Sequence, residues 1–156
     1  MIRFERAKLE DAKPLALASW RAFNHDVHYG APSKGGPPGY RSAQFQGKAM
    51  KWGIYYKIVS DYQIIGGIIV FDKGGGHFEL GRIFLDPEHQ NQGIGSQALR
   101  FVEEAFPQAR RWTLDTPRWN QRTQRFYEKM GYVRVGEGRP DGSLCLYEKI
   151  TPGEAP

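Results

Sequence analysis

The sequence predicts an α/β fold, a single domain on a mixed sheet with the element order β-α-α-β-β-β-α-β-α-β-β. Three observations lead there. The hydrophobic period is helical in the first third, alternates like a strand from Ile54, and becomes helical again after Gly93. Glycine, proline and asparagine clusters cut the chain into short segments. A length of 156 residues suits one domain with one substantial core. The domain is expected over 1–150, with 151–156 as a frayed tail.

Ile2 to Arg6 alternates and reads as a short strand. Asp11 is expected to cap a helix that carries Pro14 in its first turn, with Leu15, Ser19, Ala22 and Phe23 along one face. His25 to Tyr40 holds Pro32, Gly35, Gly36, Pro37, Pro38 and Gly39, so it is expected as loop. Loops of that length inside compact domains are often functional. Ser42 is a cap for a second helix that buries Phe45, Ala49 and Trp52. Ile54 to Val59, Gln63 to Phe71 and His77 to Asp86 form a predicted meander, turning at Asp61 and at Lys73 to Gly76. A polar loop, Pro87 to Gln92, leads into a helix over Gly93 to Ala105 with Ile94, Ala98, Phe101, Val102 and Ala105 inward. Then come a strand (Arg111 to Thr116), a helix (Asn120 to Met130) and a strand (Tyr132 to Glu137). A Pro140-Asp141-Gly142 turn and a last strand, Ser143 to Ile150, complete the domain.

Composition removes several functions. The longest apolar stretch, Ile64 to Phe71, is broken by two glycines and is too short for a membrane helix, which needs roughly 20 residues. The first residues lack the apolar core of a signal peptide. Cys145 is the only cysteine, so no internal disulfide or four-cysteine metal site forms. A cytoplasmic protein is the expectation. The formal charge is +5, but the cations are scattered and make no nucleic-acid stripe. Their use is ordinary solubility or a nucleotide-like anion. His25, Asp26, His28 and Tyr29 form a polar cluster without a matching third metal ligand, so no metal site is expected.

The most informative segment is Leu85-Asp86-Pro87-Glu88-His89-Gln90-Asn91-Gln92-Gly93-Ile94-Gly95. It passes from a strand through a polar loop into a helix. Gly93 and Gly95 remove side chains where a ligand would approach the backbone, and a helix start offers free N–H groups and a positive dipole end. Together these suit a phosphate. It is not a Walker loop, since Gly-Lys-Ser/Thr is missing, nor the dinucleotide fingerprint, since Ala98 falls where a third glycine would be sought and the spacing fails. A lone Gly-x-Gly is also a common close-packing turn. A second segment runs Asn120-Gln121-Arg122-Thr123-Gln124-Arg125-Phe126-Tyr127-Glu128-Lys129-Met130-Gly131-Tyr132. Asn120 caps its helix and Gly131 ends it. Phe126, Met130 and Tyr132 are core candidates, and Tyr127 fits either core or site.

Gln90 to Gly95 is similar to the Gln/Arg-x-x-Gly-x-Gly/Ala signature of GNAT acetyltransferases, with glutamine at position 90 where arginine is commoner. The second segment resembles the family's Asn-x-x-Ala-x-x-apolar-Tyr-Glu-Lys-apolar-Gly-Phe/Tyr segment, with Thr123 in the alanine position. The resemblance covers residues 54–150 and implies acetyl-coenzyme A as the acyl-donor cosubstrate. It implies that amides of Gln90, Asn91, Gln92, Gly93, Ile94, Gly95 and Ser96 hold the pyrophosphate. Ile83, Phe84 and Leu85 would pair with the pantetheine arm, Asn120 would touch it, and Tyr127 would stand near the thioester sulfur. A phenol, with an ordinary pKa near 10, can protonate a departing thiolate.

An attacking amine must first lose its proton. Glu79 is the candidate base, on the expectation that residues 79, 81, 83 and 85 share the cofactor face of their strand. The alternatives for Glu79 are a solvated residue or a partner for Arg82. His77 and His89 are weaker bases by position. The histidine cluster would wall the acceptor site. Arg118, Arg122 and Arg125 are either a solvated helix face or partners for the coenzyme's ribose phosphate. Cys145 reads as core. The leading function is transfer of an acetyl group to a primary amine, on a small molecule or peptide, by direct attack in a ternary complex. The alternative is a non-catalytic acyl-coenzyme A-binding module. The sequence leaves the acceptor and the oligomeric state open, a homodimer among the options.

Overall fold

A computed structural model describes residues 1–152. Seven strands form one sheet in the order β1-β2-β3-β4-β5-β7-β6. They are β1 (Ile2–Arg6), β2 (Ile54–Ser60), β3 (Gln63–Gly74), β4 (His77–Leu85), β5 (Arg111–Pro117), β6 (Val133–Gly138) and β7 (Leu144–Ile150). Four helices complete the domain: α1 (Ala12–His25), α2 (Ala43–Trp52), α3 (Ile94–Ala105) and α4 (Gln121–Lys129). The element order agrees with the sequence reading. β4 and β5 are parallel, and every other neighbouring pair is antiparallel.

The two faces of the sheet carry different cores. On one, Ile94, Ala98, Leu99 and Val102 of α3 and Tyr127 of α4 pack on Ile58, Ile68, Phe78, Leu80, Trp112 and Leu114. Leu15, Ala18 and Ala22 of α1 and Ala49 of α2 pack on Tyr55, Ile69 and Phe84 of the other face. This second core reaches only as far as β4, so β5, β7 and β6 are left without a helical cover there.

Several local expectations change. Trp52 is 63% exposed, with its ring edge-on to Phe45 rather than in the core. Ala105, in the last turn of α3, faces solvent. Asp11 does not cap α1. A 3₁₀ turn over Leu9–Asp11 precedes that helix, and the Asp11 carboxylate accepts from Lys8 N–H at 2.7 Å and pairs with Lys57 at 3.0 Å. The segment from His25 to Tyr40 is not loop throughout, because α1 runs through His25 and Asp26–Tyr29 adds a 3₁₀ turn. Thr151, expected in a frayed tail, donates its N–H to Arg110 O at 2.9 Å and its hydroxyl to Ala109 O at 2.6 Å. The rest of that tail, 153–156, lies outside the described residues.

The centre of the sheet departs most from a regular ladder. Between Ile69↔Arg82 and Val70↔Leu80 the register of β3 and β4 slips, so Gly81 is an extra residue in β4. A Cβ at Gly81 would fall 2.3 Å from the Phe71 ring, so the bulge has room for glycine alone. A bulge bends its strand. The pairing of β4 with β5 stops just before it: His77↔Arg111, Phe78↔Trp112 and Glu79↔Thr113 pair, and nothing beyond does. From Leu80 to Leu85 the β5-facing edge of β4 has no strand partner, and a slot opens between the two strands.

Candidate active site

The bulge also reassigns faces. Ile83 and Leu85 pack against the same core as Phe78 and Leu80, whereas Phe84 is buried in the α1/α2 core. Glu79 therefore lies on the face of His77 and Phe84, opposite Ile83 and Leu85. The expected shared face of residues 79, 81, 83 and 85 is broken by one residue, since each bulge inverts the alternation that follows it. Glu79 does not pair with Arg82 either. The Arg82 guanidinium donates to Pro38 O at 3.1 Å and stacks 4.8 Å from the Phe45 ring centre.

The loop after β4 is tied down before it reaches α3. Asp86 accepts from Glu88 N–H at 3.1 Å and meets Arg21 of α1 at 3.3 Å. Its own N–H donates to Ile65 O at 2.7 Å. A 3₁₀ turn over Pro87–His89 follows. Gln90 N–H is already committed to Pro87 O at 3.3 Å, so the amide expected to start a phosphate cradle is taken. The Gln90 side chain instead folds back and donates to Leu85 O at 2.8 Å. Asn91 and Gly93 then turn with positive φ, 62° and 80°. At Gly93, the N-cap of α3, that conformation costs an L-side chain about 1 kcal/mol or more, and glycine adopts it freely.

Gly93 has no side chain with which to cap, and the first backbone bond of α3 runs from Gln97 N–H to Gly93 O at 3.1 Å. The N–H groups of Ile94, Gly95 and Ser96 are left pointing out of the helix start. A Cβ at Gly93 would have no atom within 4 Å, so the space before this turn is open. A Cβ at Gly95 would touch the Phe126 ring at an ordinary 3.5 Å, which sets the α3 start against α4.

Helix α4 begins differently. Asn120 is 3% exposed and its Oδ1 accepts from Thr123 N–H at 3.1 Å, as its capping role requires. Thr116 and Thr123 share a hydrogen bond of 2.6 Å that fastens this turn to β5. Gly131, at φ 96°, ends the helix. Tyr127 is 6% exposed, with its ring 5.9 Å from that of Tyr132 and 6.4 Å from that of Tyr147. Burial pushes its phenol well above the ordinary tyrosine range, the charge of Asp115 adds to this, and Arg122 opposes it. Its hydroxyl has no hydrogen-bond partner among the described residues.

Arg122 is a bridge rather than a solvated helix residue. Its guanidinium donates to Gln90 Oε1 and to Asp26 Oδ1, both at 3.3 Å, and lies 4.1 Å from the Tyr29 ring centre. It thereby joins α4, the loop before α3 and the turn after α1. The sequence showed Arg122 only as one of three helix cations; its partners are remote in the chain. Arg118 pairs with Glu137, and Arg125 is exposed. His25 packs 4.8 Å from His28 and 5.7 Å from Tyr29, ring centre to ring centre. Burial, aided by His28 and Arg122, lowers the His25 pKa. Cys145 is fully buried, as expected of core. No group of three metal-ligating side chains occurs among the described residues.

An open strand edge ending at an uncapped helix start defines a class of site. It suits an extended ligand that continues the sheet at one end and carries phosphate at the other. Residues 10–132 match the model of the acetyltransferase (GNAT) family, and the chain belongs to that family, which is acyl-coenzyme A-dependent. The fold is shared with a GNAT-family acetyltransferase of Streptococcus agalactiae (TM-score 0.83, 17% identity, 96% of this chain and 95% of that one). It is also that of the PaiA N-acetyltransferase of Thermoplasma acidophilum, solved with coenzyme A (TM-score 0.79, 19% identity, 97% and 99%). An uncharacterized protein of Bacillus subtilis, YrkN, is 31% identical over 81 residues, which is 51% of this chain and 44% of that protein. The match thus spans less than half of that relative.

Proposed function

We propose that this protein transfers the acetyl group of acetyl-coenzyme A to a primary amine by direct attack within a ternary complex. The observation that carries the proposal is one alignment of parts. The free amides at the α3 start, the β4 edge without a strand partner that leads to them and the unpartnered hydroxyl of the buried Tyr127 together support this reading. The amides suit the pyrophosphate of the coenzyme, and the β4 edge at Ile83, Phe84 and Leu85 suits the amides of its pantetheine arm. Asn91, Gln92 and Gly93 shape the turn before the cradle, while Gln90 contributes its side chain. Asn120 holds the α4 turn at the slot and borders the pantetheine.

Bound acetyl-coenzyme A supplies the acyl carbonyl and the thiol leaving group. The residues of the chain supply the proton transfers. Tyr127, kept protonated by its buried ring, donates its phenolic proton to the departing sulfur. Glu79, on the face away from α3 and α4, takes a proton from the amine, directly or through a water. A cytoplasmic location fits this reading. Among the described residues no helix is long and apolar enough to cross a membrane.

The test is thiol release with a panel of amines, read for the wild type, Tyr127→Phe and Glu79→Gln. Tyr127→Phe keeps the ring, so packing should survive while kcat falls by about 10²-fold, the usual scale for a general acid. Coenzyme affinity should hardly move, because the lost interaction matures in the transition state. Raising the pH should partly rescue Glu79→Gln, since more amine is then neutral, and should not rescue Tyr127→Phe. An unchanged kcat in Tyr127→Phe, where chemistry limits turnover, would return Tyr127 to a purely packing role.

A further inference from the structure

Three segments remote in sequence meet at the Arg122 guanidinium. Gln90 comes from the loop before α3, Asp26 and Tyr29 from the turn after α1, and Arg122 from the first turn of α4. Gln90 makes two bonds with one amide. Its Nε2 donates to Leu85 O at 2.8 Å, which turns Oε1 the other way, where it accepts from Arg122 at 3.3 Å. The Leu85 carbonyl belongs to the slot. Asp86 N–H bonds Ile65 O on the β3 side at 2.7 Å, and successive residues of a strand aim their backbone groups at opposite edges. Leu85 therefore faces the edge that β5 leaves unpaired. Through Gln90, the last rung of that edge is tied to α4.

Among the described residues, two side chains from other elements bond to the loop from Asp86 to Gly93. Arg21 of α1 holds its start through Asp86 and Glu88, at 3.3 and 3.5 Å. Arg122 holds its second half, just before the backbone turns at Asn91 and Gly93 into the free amides of α3. Arg122 is itself held from the other side. Asp26 accepts from its second terminal nitrogen at 3.3 Å, and the Tyr29 ring centre lies 4.1 Å from its guanidinium carbon. The Arg122 and Asp26 side chains are only 33% and 13% exposed, so the pair is largely withdrawn from water. The same turn presses on the α4 start at a second point. At Gly30, with φ 101°, a Cβ would fall 3.1 Å from Trp119 O. A guanidinium is a rigid planar fork, so holding one prong on Asp26 aims the other at Gln90.

We propose that Arg122 is a positioning residue of the coenzyme site, acting through Gln90 and aimed by Asp26. Gln90 sets both the loop that presents the α3 amides and the last slot-facing rung of β4. This rests on the coenzyme site proposed above. The consequence is non-local. Asp26 has no hydrogen bond to the α3 start or to β4 among the described residues, yet coenzyme affinity depends on it.

The experiment is a double-mutant cycle read by calorimetric binding of coenzyme A, with Tm measured on every variant. Asp26→Ala and Gln90→Ala should each weaken coenzyme A by about fivefold, within the scale of residues coupled in one network. Asp26→Ala on the Gln90→Ala background should add little, because the route from Asp26 to the loop is already cut. Arg122→Lys keeps the charge and loses the fork, so its affinity should match that of Gln90→Ala. In thiol release the loss should appear in KM for acetyl-coenzyme A rather than in kcat. Should Asp26→Ala fail to fold, Asp26→Asn keeps the side chain's shape and takes its place in the cycle. A merely structural ion pair would lower Tm and leave affinity and KM unmoved, and that result overturns the proposal. Losses that multiply in the double variant overturn it too, since Asp26 then acts by another route. Tight wild-type binding with no effect of Asp26 removes the positioning role alone, whereas a wild type that binds no coenzyme A removes the coenzyme site with it. If the cycle behaves as expected and no amine is acetylated, the transfer reaction fails and the role of Arg122 stands.

Discussion

Helices α3 and α4 both begin beside the slot between β4 and β5, and their first turns are built in opposite ways. At α4, Asn120 and Thr123 consume the free ends: a side-chain oxygen accepts Thr123 N–H, and Thr123 binds back to Thr116. At α3, the capping position is Gly93, which has nothing to offer the amides that follow. A capped helix start is a structural joint. An uncapped one at an open surface is a site waiting for an anion, because unpaired N–H groups and the helix dipole act together. On the proposed function, this difference gives the phosphates to α3 and leaves α4 to hold Tyr127 in place.

Adding ligands is the strongest way to break this contrast. Coenzyme A at a hundred times its Kd should stabilise the fold by about 2.7 kcal/mol, by mass action. Adenosine at the same concentration should do far less, since it has no pyrophosphate for the α3 amides and no arm for the β4 edge. Equal shifts in melting temperature would remove the phosphate from the α3 start.

Substitutions at the two helix starts sharpen the contrast. Gly95→Val presses branched methyl groups on the Phe126 ring, which a Cβ there would already touch at 3.5 Å, and so disturbs the first turn of α3. It should weaken coenzyme A binding at least about tenfold, or ~1.4 kcal/mol. Affinity within about twofold of wild type would place the phosphates elsewhere. Asn120→Ala should instead appear first as lost stability, about 1 kcal/mol for a missing cap, or roughly 2–4 °C in Tm for a chain of this size. Denaturation and calorimetry on both variants should therefore rank them in opposite orders.

The smallest effect is one of pH. Burial raises the Tyr127 and Tyr132 phenols above their ordinary range. Below about pH 10 both the folded and the unfolded chain keep these protons, so stability there does not depend on them. Above it the unfolded chain releases protons that the folded chain retains, and stability should fall as pH rises. Urea denaturation at pH 9 and pH 11 should show that loss, and Tyr127→Phe should show less of it.

The parts of this site that were legible in the sequence are those made by residues close together in the chain. Gly93 before an apolar helix, Asn120 three residues before Thr123, and Gly131 after Met130 each act within one turn, and each stands as read. Glu79 was placed on the wrong face because its orientation relative to Ile83 depends on a bulge at Gly81. That bulge exists through the register of β4 against β3 and the position of the Phe71 ring. The slot was hidden for the same reason, since where β4 and β5 separate is a property of two strands far apart in sequence. Gly66 and Gly67 were visible as interruptions of an apolar run, but their purpose was not. A Cβ at Gly66 would fall 2.3 Å from Phe84 O, and one at Gly67 would fall 2.8 Å from the Phe84 ring. The bridging role of Arg122 required Asp26 and Gln90 to be brought to it by the fold.

The contrast between the two helix starts is tested most directly by amide spectra of ¹⁵N-labelled protein titrated with coenzyme A. The N–H signals of Ile94, Gly95 and Ser96 should move strongly as they take up phosphate oxygens, while that of Thr123, already bound to Asn120, should stay nearly in place. Shifts concentrated at Thr123 and its neighbours, with the α3 amides unmoved, would contradict the account.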